Sequence, residues 1–138
     1  MKIVNSIFLA SVLIAFTSCA SINNPEGGPK DEDAPELLNS NPKQKELSVT
    51  TRTITLDFNE EVQPNNLQKE LLITPFTDNT YQVRMSKTRL ELVFEKPLEE
   101  NTTYTLNFRK GVQDITEKNT AEGLMLTFST GTFIDSSR

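Results

Sequence analysis

The sequence predicts an all-β protein, an antiparallel β-sandwich of about seven strands preceded by a signal peptide and a flexible tether. Three observations predict it. Four segments share the form apolar-x-Leu-x-Phe: Ile54–Phe58, Leu90–Phe94, Tyr104–Phe108 and Leu124–Phe128. Turn residues separate the apolar runs, at Asn41-Pro42, Pro64-Asn65-Asn66, Thr77-Asp78-Asn79 and Glu99-Glu100-Asn101. The composition flips at Cys19, from an apolar run to Asn, Pro, Gly and charge. Alternation with period two puts Leu and Phe on one face of each strand and mostly Thr, Asp, Glu and Asn on the other. One wet face is the mark of an antiparallel sheet. Short strands with turns every ~8–12 residues are the pattern of a sandwich.

The chain opens on Lys2 and a run of about 14 largely apolar residues, Ile3 to Phe16, broken by Asn5, Ser6 and Ser11. A positive start, a short apolar stretch and small residues at the break describe a secretory signal. The run falls short of the ~20 residues needed to cross a bilayer core. Cys19 is the only cysteine. Phe16-Thr17-Ser18-Cys19 resembles the lipobox of bacterial lipoprotein signals, with Phe16 where Leu is usual. The resemblance implies removal of residues 1–18, a lipid on the Cys19 thiol and acylation of the new amine. A single acyl chain holds a membrane only marginally, so two or more are expected. The alternative is an ordinary secreted chain with a chance cysteine. An odd cysteine would then be a free thiol or an intermolecular bridge.

Removing residues 1–18 from the 138 leaves 120, one domain of ordinary size. The net charge of −5 becomes about −6 without Lys2, which argues against a nucleic-acid partner, since that calls for a basic patch. There is no His and no Trp. Histidine is the commonest general base and metal ligand, so most hydrolase and zinc designs are excluded. No Gly-x-Ser-x-Gly elbow or phosphate loop is present. No enzyme and no cofactor are expected.

Residues 19–34 contain one large apolar side chain, Ile22, and read as the lipidated Cys19 and a flexible tether. The Lys30-Asp31-Glu32-Asp33 run reads as a solvated spacer, with an acidic export signal as the alternative. The domain is expected over 35–134, and 135–138 as a tail where a further region would begin. Weaker strands are expected at Glu36–Ser40, Leu47–Val49, Leu71–Thr74 and Tyr81–Met85, with one helical turn at Asn66–Glu70.

Pro97 through Tyr104 resembles the tyrosine corner of Ig-like sandwiches. There a Tyr near the start of a strand turns its hydroxyl back to a backbone group, and Leu98 would plug the corner below. The alternative is that Tyr104 is simply the first core residue of its strand. Asp57, Asn59, Glu60, Asp114 and Asn119 gather oxygens near strand ends. They are candidates for Ca²⁺, which takes six to eight oxygens. The plainer reading is that charge collects where strand ends are wet, and no metal is expected.

Residues 34–131 resemble a bacterial Ig-like domain of the S-layer-protein SbsA type. The likeness runs through Ala34-Pro35, Asn41-Pro42, Ile54-x-Leu56-x-Phe58-Asn59-Glu60-x-Val62, Leu98–Asn107, Val112-Gln113-Asp114, Glu117-x-Asn119 and Phe128-Ser129-Thr130-Gly131. Asn59 stands where Asp is frequent, and Glu117 where the loop often carries Gly. The resemblances together imply a non-catalytic Ig-like module acting as spacer, scaffold or adhesion surface. It would sit in the cell envelope, lipid-anchored to the outer membrane on its periplasmic or outer face. Expected partners are the membrane through Cys19 and a protein docking on an edge strand or loop. The alternatives are a carbohydrate-binding lipoprotein and an accessory domain of a larger protein.

Overall fold

The computed structural model describes residues 33–135. The signal peptide, Cys19, most of the tether and the last three residues lie outside the described residues.

Among the described residues nine strands and one helical turn follow one another. They are β1 (Leu37–Asn41), β2 (Thr53–Phe58), β3 (Val62–Pro64), α1 (Leu67–Glu70), β4 (Leu72–Thr74), β5 (Tyr81–Ser86), β6 (Arg89–Phe94), β7 (Thr103–Asn107), β8 (Val112–Asp114) and β9 (Met125–Ser129). Every strand pair is antiparallel. One sheet runs β1-β2-β6-β5, a second β4-β7-β9, and β3 pairs with β8 alone. The fold is the all-β antiparallel sandwich that the alternation implies, of the Ig-like kind that the resemblance implies.

The four apolar-x-Leu-x-Phe segments form the centre. Ile54, Leu56 and Phe58 of β2 and Leu90, Leu92 and Phe94 of β6 meet Tyr104, Leu106 and Phe108 from the β7 segment. Leu124, Leu126 and Phe128 complete the opposite wall. These side chains are all less than a tenth exposed. Each fully buried Leu or Phe is worth about 1.5–3 kcal/mol relative to exposure, so the core carries the fold without a crosslink.

Two expectations need correcting. Residues 47–49 are not a strand. Lys45 and Ser48 take positive φ, 63° and 56°, which breaks extension. The segment instead meets β9 through one parallel bridge, Glu46 to Phe128. Ser48 N–H donates to Gly131 O at 2.8 Å and Val49 N–H to Ser129 O at 3.0 Å. The second is the omission of β3 and β8. Each is three residues long, too short to show alternation, and they pair through Gln63 and Gln113.

Candidate functional site

The corner occupies the pole where β6 ends and β7 begins. Tyr104 is 3% exposed, and its hydroxyl accepts the Glu99 N–H at 2.9 Å. A buried phenol left unpaired would be costly, and the bond ties the connecting loop to β7. Leu98 is half-buried against the core. The Tyr104 and Phe128 rings stack with centroids 5.7 Å apart. Thr130 strengthens the same pole: its hydroxyl donates to Glu99 O at 2.6 Å and accepts the Thr102 N–H at 2.9 Å. The described chain leaves here, where Asp135 N–H donates to Thr103 Oγ1 at 2.8 Å.

The oxygen-rich residues sit at the other pole and turn out to have separate tasks. Asp57 binds Arg89 across the sheet, Nε to Oδ1 at 2.7 Å. The hydrogen bond to Asp57, and then its charge, push the Arg89 guanidinium further up. Asn59 Oδ1 accepts the Glu36 N–H at 2.9 Å and fastens the start of the domain. Glu60 is half-buried in the turn before β3. Asp114 is wholly buried. Its Oδ1 accepts the amides of Thr116, Glu117 and Lys118 at 3.1, 2.7 and 2.7 Å, and its Oδ2 accepts Asn119 Nδ2 at 3.3 Å. Burial pushes this carboxyl up, but the donated amide bonds outweigh it and hold it below the usual carboxylate range. Asp114 thus builds the loop, since its acceptor capacity goes to that loop's own amides. Among the described residues no cluster of three His, Cys, Asp or Glu is placed to hold a metal ion. Asn119 Nδ2 also reaches Asp33 O at 3.4 Å, so the described chain enters at this pole.

Between β4 and the loop that leads into β5 at Tyr81 lies an open groove of about 390 Å³. Leu72, Ile73, Phe76 and Tyr81 give it an apolar wall, and Gln68 and Asp78 a polar rim. Phe76 is 90% exposed. Tyr81 leans on Phe94, ring centroids 5.5 Å apart at 59°, and partial burial raises its hydroxyl pKa. The sequence marks Thr77-Asp78-Asn79 as a turn but gives no sign that Phe76 is left outside.

The arrangement offers surfaces, edges and shallow grooves, of which the one at Tyr81 carries the most aromatic wall; nothing among the described residues pairs an activated nucleophile with a base. No curated protein sequence matches the chain. Similar solved structures include the following two. The copper-resistance protein PcoC from Escherichia coli, described as methionine-rich, shares 18% identity with a TM-score of 0.50, covering 70% of this chain and 97% of that one. An L,D-transpeptidase from Mycobacterium smegmatis shares 15% identity with a TM-score of 0.46, covering 70% of this chain and 40% of that one. At such identities the PcoC likeness speaks for the fold alone. The sequence itself matches the family described as bacterial Ig-like domain over residues 31–130, and with that span, on this sandwich, the chain belongs to the bacterial Ig-like domain family.

Proposed function

We propose that this protein is a non-catalytic Ig-like spacer or scaffold of the S-layer-protein SbsA type, carried by a lipoprotein of the cell envelope. Residues 1–18 serve as signal, Cys19 carries the lipid, and residues 19–34 tether the domain to the outer membrane. The observation that supports the spacer role is the placement of the chain's two exits. The described chain enters beside the Asp114 loop and leaves beside the tyrosine corner, at opposite poles. Strands of six residues at ~3.3 Å each hold those poles about 20 Å apart. A rigid core between two separated exits transmits position along a chain.

Labelled palmitate tests the anchor. Incorporation in a bacterial host, lost in Cys19→Ala, supports it, and no incorporation into the parent chain overturns it. Membrane fractionation with protease shaving then reads which face the domain occupies.

The groove beside Tyr81 favours a second reading, capture of glycans. An aromatic face flanked by Gln68 and Asp78 suits a sugar ring, and ~300–1,000 Å³ is the usual range of small-ligand pockets. Binding on a glycan array that disappears with Tyr81→Ala supports this reading; silence across the array leaves the spacer role alone. PcoC is methionine-rich, a property without counterpart here, where the whole chain has three Met.

A further inference from the structure

We infer that β5 is a pairing edge for a second copy of this chain, joined antiparallel about Val83 into one continuous sheet. The two sheets have four outer strands, and three are blunted. β1 is irregular between Leu37 and Asn39. β9 is covered by residues 45–49, with Lys45 N–H donating to Thr127 O at 2.6 Å. β4 is three residues long and runs into Pro75, which has no N–H to offer. Short strands, bulges, Pro and covering loops are the usual protections of an edge. β5 runs six residues with none of them.

The ladder parity fixes what β5 presents. Glu95 N–H donates to Thr80 O, and hydrogen-bonded pairs alternate along an antiparallel ladder. Thr80, Gln82, Arg84 and Ser86 therefore aim their backbone groups at β6. Tyr81, Val83 and Met85 aim theirs outward, while their side chains lie half-buried against the core. Pairing Val83 with Val83 of a second copy sets Tyr81 opposite Met85 of that copy, and Met85 opposite its Tyr81. About six new backbone hydrogen bonds result. Sulfur–aromatic contacts are favourable, and they would close the exposed rim of both cores. On the outer face Arg84 meets Gln82 of the second copy. Sliding one copy by two residues, so that Arg84 meets Arg84, opposes like charges and is disfavoured. The proposal concerns β5 alone and stands whether or not Cys19 carries a lipid.

Sedimentation equilibrium of the full chain, in a non-ionic detergent that shields its apolar start, tests this. A monomer–dimer equilibrium is expected. Gln82→Glu places a carboxylate opposite Arg84 twice per dimer, and its Kd should fall about fivefold. Gln82→Arg should weaken the dimer by a similar factor. Within its own chain Gln82 lies 3.5 Å from Glu95, so Gln82→Arg gains an opposite charge there, and an unchanged urea-unfolding midpoint shows that its effect on the dimer does not come from unfolding. Val83→Pro removes an outward N–H without touching the β6 ladder, and should abolish dimer. A chain that stays monomeric, or a dimer indifferent to all three substitutions, overturns the proposal.

Discussion

Tyr104 and Asp114 show how much one polar group achieves once buried. Tyr104→Phe leaves the Glu99 N–H without its acceptor while keeping the stack on Phe128. The expected cost is about 0.5–1.5 kcal/mol in urea unfolding, the net value of one such bond. No measurable change would show that the ring alone makes the corner. Asp114 titrates below its ordinary range, so its charged form is favoured by folding. Its contribution is complete above the unfolded value of about 4 and disappears as pH falls through the lower folded value. Asp114→Asn keeps the shape and loses the charge. The stability difference between parent and variant should hold steady from pH 7 to 5 and shrink below about pH 4. A difference independent of pH would mean the loop does not need the charge. The sequence marked Asp114 and Asn119 as oxygen-rich; it did not show that the acceptors face the loop's own amides, because that depends on the turn at 115–119.

Elements in this chain form where alternation or a neighbour's hydrogen bonds require them. The four strands built on the apolar-x-Leu-x-Phe form were legible because Leu and Phe recur every second residue. β3 and β8 were not, since three residues give no period; their repeated Val-Gln pairs were the only local hint. The hairpin joining β5 and β6 was equally silent. It turns through Lys87 at φ 54° without Gly or Asn, and the strands on either side impose it. The single turn α1 would be marginal alone. Arg109 holds it from across the sequence, donating to the Glu70 and Lys69 carbonyls at 2.6 and 2.9 Å. Leu67 presses its buried face onto Gly111, where an added Cβ would come within 2.7 Å of Leu67 Cδ1 and 3.0 Å of Phe108 O. Gly111→Ala should therefore cost about 1–3 kcal/mol through overpacking. A neutral result in thermal unfolding would show that α1 moves freely off the sheet.

At the scale of the molecule, one core and two poles govern behaviour. Leu92 and Leu106 lie on different sheets and are at most 1% exposed. Either Leu→Ala change should cost about 2–5 kcal/mol, the transfer and cavity terms together; a loss below about 1 kcal/mol would show the register is wrong. The separation of the exits is also measurable. Spin labels on cysteines replacing the exposed Glu36 and Thr132, with Cys19 changed to Ala, should lie beyond about 20 Å and give one narrow distribution. A broad or short distribution would remove the support for a spacer.

The sequence by itself determined the sandwich, because period-two burial needs no knowledge of which strand lies beside which. It also supplied the family likeness and the absence of histidine that disfavours most catalytic designs. Tertiary structure decided what each polar residue does, which edges are covered and where the chain enters and leaves. Those depend on contacts between residues far apart in the chain, such as Asp57 with Arg89 and Lys45 with Thr127. A local pattern records a side chain's face, and only the closed fold records its neighbour.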